Sequence, residues 1–339
     1  MLFSPVVPHH FGPGIPPALH IPDGFLSLTI SIIFWGITVI LIMLSVRRTQ
    51  AELGERHVPL MGIMAAFIFA GQMINFPVAG GTSGHFLGGA LAAIVLGPWA
   101  GMLVMTAVIG LQALLFQDGG LVVMGANIFN MGLVTALIGY GLYRSAAGQG
   151  KGVRLAVTGL AAWLSVMGGA LFTALQLWLS GTSPLVIVMP AMLGVHLLIG
   201  LGEALITVAA LAFIVQVRPD LLQADTVKSR AGFGWVLGGL AIALAVVVLS
   251  PLASANPDGL ERVAQNLGFI NQGAAAPYQL LPDYTIPGLG NSRLSTIAAG
   301  ILGALVVAGA AVGMGRSLRR RPVPPVDPAP PRAGNQALP

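Results

Sequence analysis

The chain has no cysteine among its 339 residues, which excludes disulfides, thiolate metal sites and cysteine nucleophiles together. Charge is nearly as scarce: Asp, Glu, Lys and Arg make up 8% of the residues, against roughly 25% in an ordinary soluble domain. No GxxxxGK[ST] stretch occurs anywhere, so the chain carries no phosphate-binding loop of the kind that hydrolyses ATP. The leading segment "MLFSPVVPHHFGPGIPPA" has neither basic residues nor an uninterrupted apolar stretch, and is not a signal peptide.

What is abundant is apolar sequence, 55% of the chain, in runs of about 20 residues that suit a hydrocarbon core of about 30 Å. Apolar spans are read at 28–46, 59–76, 86–96, 98–116, 123–143, 153–179, 185–215, 232–250 and 296–315. The third is short and suits a half-helix. The fold class expected is all-α: a polytopic integral membrane protein, with a seven-helix block followed by two C-terminal transmembrane helices. The segment 218–231, "RPDLLQADTVKSRA", reads as a junction between them, and the proline-rich tail 322–339 as unstructured.

The formal charge of +5 invites a nucleic-acid reading, but the positions of the basic residues explain it better. Arg47, Arg48 and Arg56 follow the first span. Arg144, Lys151 and Arg154 follow the fifth; Arg218, Lys228 and Arg230 follow the seventh. Arg316, Arg319, Arg320, Arg321 and Arg332 follow the ninth, and only Arg262 and Arg293 fall on the other side. The positive-inside rule then puts the N-terminus outside and the C-terminus in the cytoplasm. The basic balance reflects topology in a lipid bilayer, with no nucleic-acid partner.

In that topology three polar stretches converge on the outer face: "HIPDG" at 20–24, "NFPVAGGTSGHFLGG" at 75–89 and "QDGGLVVMGANIFNMG" at 117–132. Glycine-rich irregular backbone at membrane depth is tolerated where it is buried in protein or lines a cavity, so a ligand site near the outer surface is expected. "GTSG" fits the GxSG pattern of rhomboid-type intramembrane serine proteases, with Ser83 as nucleophile and His196 as base; this is the alternative function. His196 and Glu203 are seven residues apart and share a helix face; they are either functional or an inward-facing pair that locks helix packing. Asp118, Asn127 and Asn130 either orient a ligand-binding imidazole or satisfy loop backbone and cap a helix. His20 and His85 lie on the same side in a chain without cysteine and with few carboxylates. Two such histidines point to nitrogen ligation, which suits nickel, copper, zinc or cobalt rather than magnesium or calcium.

The stretches "HIPDGFLS", "FAGQMINFPVAGGTSGHFLGGALAAIVLGPWAGMLVM", "LQALLFQDGGLVVMGANIFNMG" and "HLLIGLGEALIT" closely resemble the CbiM/NikM family. These are substrate-binding membrane (S) components of energy-coupling factor transporters for cobalt and nickel. "ANPDGLERVAQNLGF" at 255–269, with its flanking spans, resembles the small PDGLE-containing (NikN or CbiN-like) component. The resemblance implies a CbiM/NikM-like domain at 19–217, a linker at 218–231 and a PDGLE component at 232–321. It implies no enzymatic activity and no resident cofactor. Ni(II) or Co(II) is the transported ligand, a transmembrane coupling (T) protein and cytoplasmic ATPases are the partners, and the bacterial inner membrane is the location. The coupling surface is expected on small residues such as Ala65, Ala66 and Gly71.

Family members begin Met-His and hold metal with the terminal amine, the second residue's amide nitrogen and imidazole, and a later histidine. By position these are Leu19 (as initiator methionine), His20 and His85, with Asp23, Ser83, Asp118 and Asn127 as supporting groups. Amine and deprotonated amide close a five-membered chelate ring, His20 Nδ1 closes a six-membered ring, and His85 fills the fourth corner. Square-planar nitrogen ligation leans toward Ni(II). Residue 19 as written has no free amine, so residues 1–18 are read as an extension preceding the true start. The outer loop 251–295 contains no histidine and is expected to supply no metal ligand, with Asp258, Glu261 and Asp283 either attracting cations weakly at the entrance or, as the preferred reading, standing as solvated charges.

Overall fold

The computed structural model describes residues 20–54, 57–222, 234–290 and 292–319. Leu19, the extension 1–18, most of the linker and the tail 322–339 lie outside the described residues. Among the described residues, seven helices are long and apolar enough to cross a membrane, and the chain is a multi-pass membrane protein.

Helix α1 (Leu28–Glu52) starts at Ser27, whose hydroxyl accepts from the amide of Ile30 at 3.4 Å and so satisfies one of the unpaired donors of the first turn. Its outer face exposes Ile32, Ile33, Ile40 and Met43, as a lipid-facing helix does. Helix α2 (His57–Gln72) ends sooner than the apolar run suggested. The backbone continues into a small antiparallel hairpin, β1 (Phe76–Val78) and β2 (Thr82–Gly84), in register Phe76 to Gly84, Pro77 to Ser83 and Val78 to Thr82. Pro77 cannot continue a helical ladder, and Gly80 and Gly81 turn the chain with φ of 75° and 68°. The expected all-α class is thus modified by one hairpin, and that hairpin leads directly to His85.

Helix α3 (Gly89–Leu96) is the anticipated half-helix, eight residues long and buried throughout. It turns at Gly97 (φ 82°) into α4 (Pro98–Leu111), with Pro98 in the first turn. The segment leading into α3 lies deep in the protein, so its amides need a partner. Glu203 supplies it, accepting from Leu87 N at 2.6 Å and Gly88 N at 2.9 Å. The expected His196–Glu203 packing pair does not form. Glu203 holds the entry of α3, while His196 donates from Nδ1 to the carbonyl of Met192, one turn back on its own helix, at 2.8 Å.

α4 runs on as a π-helical turn, Gln112–Phe116. After a short loop, α5 (Met124–Asn127), a π-helical stretch Ile128–Val134 and α6 (Thr135–Ser145) form one continuous span. Such π-turns are often found at functional sites, and these two flank the loop that carries Asp118. Helices α7 (Lys151–Leu179) and α8 (Leu185–Val217) complete the first block.

The C-terminal part contributes α9 (Gly234–Leu249), the short outer helix α10 (Gly259–Leu267) and α11 (Arg293–Leu318). Small residues let α11 approach closely, as membrane helices do in the absence of a hydrophobic driving force between them. A Cβ on Gly303 would lie 2.3 Å from Phe69 and 2.7 Å from Phe116, and one on Gly62 would lie 2.6 Å from Val312. The expected solvated loop at 251–295 is instead folded. The "PDGLE" stretch forms a capping box in which Asp258 accepts from Glu261 N at 2.7 Å and Glu261 accepts from Asp258 N at 3.1 Å. Both carboxylates are buried, which corrects their reading as solvated charges; Asp283 is exposed, as expected. Overpacking a well-filled contact costs about 1–3 kcal/mol. Gly303→Leu should therefore lower the unfolding midpoint in detergent, whereas Gly309→Leu, where a side chain meets nothing within 4 Å, should leave it unchanged.

Candidate metal centre

The site is built from the segment that precedes α1. Asp23 does not point at the ligands. Its carboxylate accepts from the amides of Leu121 (3.0 Å), Val122 (2.9 Å) and Val123 (3.1 Å), satisfying donors at the entry to α5. Asn127 pairs with the main chain of Ile21 in both directions, accepting from its N–H and donating to its carbonyl, each at 3.0 Å. Gly120 N adds a bond to Ile21 O at 3.0 Å. The approach is close enough to require the glycines of "DGG": a Cβ on Gly120 would fall 2.1 Å from Asp23 Oδ1, and one on Gly119 (φ 95°) 2.8 Å from His20 Cβ.

Held this way, His20 is 2% exposed. Its Nδ1 faces Asp118, at 2.9 Å from the carboxylate and 3.1 Å from the backbone carbonyl of the same residue. Burial alone lowers the pKa of the His20 imidazole, but the charge of Asp118 and the hydrogen bonds to it outweigh burial, and the net direction is up. Burial likewise raises the Asp118 carboxyl, and the His20 and Tyr284 partners bring it below the usual carboxylate value. The other ring nitrogen of His20, Nε2, is buried with no hydrogen-bond partner among the described residues.

His85 follows β2 and is also buried. Its Nδ1 donates to the Phe86 carbonyl at 3.3 Å, and its ring centre lies 5.8 Å from that of His20, edge-on. A metal about 2.0–2.1 Å from an imidazole nitrogen sits roughly 3 Å from the ring centre, so two rings on one ion can be up to about 6 Å apart. The two histidines, 65 positions apart in the chain, meet that spacing. Both line a cavity of about 60 Å³, which Asn127, Asn130, His196 and Asp258 also border; this is room for an ion and a few waters. Among the described residues, no three His, Asp or Glu side chains are arranged to hold a metal by themselves. A metal here therefore takes further donors from the main chain or from waters.

The remaining expected residues brace the site. Ser83 is fully buried and donates from Oγ to the Asn256 carbonyl at 2.8 Å, while its amide bonds Pro257 O at 2.8 Å. A hydroxyl so engaged, with no hydrogen bond to a base among the described residues, gives the serine-protease reading no support. Asn130 ties its span to α7 through Thr173 (3.1 Å) and Gln176 (2.8 Å). Sequence reading missed Tyr284, whose hydroxyl donates to Asp118 Oδ2 at 2.6 Å. It missed as well that Asp258 and His196 border the cavity. Tyr284 has no local pattern that could have found it; the capping-box spacing D-x-x-E at 258–261 was available.

A polytopic helical bundle with two buried histidines at one end is the kind of architecture a membrane transporter of transition metals would need, and comparisons with known proteins put the chain in that class. A solved structure described as a truncated transition metal transporter is 31% identical and superimposes with a TM-score of 0.53, covering 58% of this chain and 98% of its own. Residues 20–221 match the family described as the cobalt uptake substrate-specific transmembrane region, and 233–320 match the PDGLE domain. The chain belongs to that cobalt uptake family and carries the PDGLE domain fused behind it. Among relatives, the fused nickel transport protein NikMN of Rhodobacter capsulatus is 30% identical over 345 residues, covering 89% of this chain and 99% of the relative. A protein of Archaeoglobus fulgidus assigned to the same NikMN type is 36% identical over 301 residues, covering 85% and 95%. The cobalt transport protein CbiM of Sorangium cellulosum is 35% identical and covers 60% of this chain and 94% of its own.

Ser83→Ala tests the bracing role. It should lose about 0.5–1.5 kcal/mol of stability, the net worth of one hydrogen bond, while metal binding by the purified protein stays at the wild-type level.

Proposed function

We propose that this protein is the substrate-binding component of an energy-coupling factor transporter that imports Ni(II) or Co(II). The observation that carries the reading is the meeting of His20 and His85, from distant segments, in one buried cavity at a spacing that suits a shared metal. The remaining donors are the amide nitrogen of His20 and a free amine on the residue before it, Leu19 in the written sequence. In this reading residues 1–18 are absent from the working protein. ATP hydrolysis belongs to partner ATPases, which a transmembrane coupling protein connects to this chain. Eight of the ten described Lys and Arg residues (Arg47, Arg48, Arg144, Lys151, Arg154, Arg218, Arg316 and Arg319) fall at helix ends opposite the metal site, and Arg262 and Arg293 on its side, a bias that supports a site facing away from the cytoplasm.

The chelate uses His20 Nδ1, the atom that faces Asp118 in this structure. Loading therefore requires the ring to leave Asp118. Nickel is the favoured ion because four in-plane nitrogens suit its square-planar geometry, and the NikMN relatives agree with that choice.

His85→Ala should abolish tight Ni(II) binding measured by titration of the purified protein; unchanged binding would refute the site. Competition between the two ions should favour nickel, and a cobalt preference of tenfold or more (about 1.4 kcal/mol) would reverse that assignment. Intact mass of protein made from the native gene should show methionine at position 19 with 1–18 missing. If the mature chain carries residues 1–18 and still binds nickel tightly, the amine chelate fails.

A further inference from the structure

The outer segment of the PDGLE domain reaches the metal-binding imidazole through one intermediary. Tyr284 donates to Asp118 Oδ2 at 2.6 Å, and the other oxygen of that carboxylate, Oδ1, lies 2.9 Å from His20 Nδ1. Gln112 Nε2 donates to the same tyrosine hydroxyl at 3.1 Å, which leaves the hydroxyl proton directed at Asp118. The Tyr284 ring stacks on Phe116, with centres 4.6 Å apart and planes 16° from parallel. The turn that presents it is also anchored: Leu281 N bonds Leu115 O at 3.0 Å, and Ile286 N bonds Ser295 Oγ at 2.7 Å.

The backbone shows that this presentation is imposed. Asp283 and Tyr284 both adopt left-handed conformations, with φ of 50° and 55°, in a region that residues with a Cβ seldom occupy. Consecutive non-glycine residues hold such angles only where the surroundings over-determine them, and such places cluster at functional sites. Here the strained pair places one hydroxyl against one carboxylate oxygen.

We propose that Tyr284 is a positioning residue for His20: acting through Asp118, it holds the ligand nitrogen turned away from the metal until loading. The inference rests on the chelate reading above, in which Nδ1 is the ligating atom. A nitrogen that donates its proton to a carboxylate has no lone pair for a metal. On loading, Nδ1 gives its proton to water while Nε2 takes one up from water, so that the imidazole stays neutral. It then turns from Asp118 and closes the chelate ring with the metal through the freed Nδ1 lone pair. A carboxylate that also holds the Tyr284 hydroxyl resists that turn; without that bond it gives way more readily. By linkage, an event that moves the Tyr284 turn alters metal uptake, and metal uptake alters the hold on Tyr284 by the same factor. The fused domain thereby influences the site without contributing a ligand.

The test uses the full chain from its native gene and Ni²⁺ alone as the probe, with association followed by the d–d absorption of the bound ion. Tyr284→Phe keeps the ring on Phe116 and removes only the hydroxyl. It should bind Ni²⁺ several-fold faster, with a matching fall in Kd and an unchanged dissociation rate. In an Asp118→Asn background the same substitution should change nothing further, since its effect passes through that carboxylate. Wild-type kinetics for Tyr284→Phe would overturn the proposal. So would weaker binding, which would mean that the tyrosine orients a ligand already in place, or an equal effect in both backgrounds. His85→Ala run alongside separates the two levels. Loss of binding there with no effect of Tyr284→Phe defeats only this inference, whereas intact binding in His85→Ala defeats the chelate reading itself.

Discussion

Three backbone amides at the entry to α5 have one carboxylate to satisfy them, and the site depends on that arrangement. Asp23 accepts from Leu121, Val122 and Val123, so the segment before α1 must lie across the 117–123 loop. Asn127 then pairs with Ile21 and sets the register. Once that register is set, His20 has a single place to go, beneath Gly119 and against Asp118. Val122 is exposed, but the bonds from Leu121 and Val123 are part-buried, and backbone groups left unpaired there are costly enough to favour a loop that finds such partners. The geometry around the imidazole thus follows from a hydrogen-bonding requirement of main chain several residues away.

The second histidine arrives by a different route under a similar constraint. The hairpin delivers His85 to the cavity, and the amides just beyond it, at Leu87 and Gly88, meet Glu203 from α8. That carboxylate satisfies the two buried amides that lead into the half-helix. The outer segment of the PDGLE domain fastens both routes from above. Ser83 N and Oγ bond the 256–257 backbone beside His85, and Ala274 N bonds Asp23 O at 2.7 Å beside His20. The fusion therefore encloses the site as well as adding two membrane helices.

Burial of these polar groups is also what gives the cavity its chemistry. His20, His85, Asp118 and Asp258 all lie below a tenth exposed, where charge is costly unless paired. His20 and Asp118 pair with each other, and Asp258 and Glu261 share a capping box. In the proposed site a cation would meet carboxylates that are already engaged by protein partners, which favours ions that prefer nitrogen over those that prefer oxygen.

Much of this was legible in the chain itself, because it rests on local physics. Apolar run length located most of the helices, the basic residues clustered at one common set of helix ends, and the shortness of the third apolar run marked the buried half-helix. The two histidines stood out because the chain has no cysteine and little else that could bind a transition metal. Side-chain partners were not legible, because they depend on which segments meet. Asp23 and Asp118 read alike as acidic residues near a turn, yet one holds backbone amides and the other holds the imidazole. His196 and Glu203 share a helix face, but Glu203 turned to the start of α3, whose amides no sequence period announces. Tyr284 lies 166 positions from Asp118, and nothing near it in sequence marks it. Helix identity is decided within some twenty residues by hydrophobicity and backbone geometry; hydrogen-bond partners across the outer face are decided only when the whole bundle closes and each buried donor must find an acceptor.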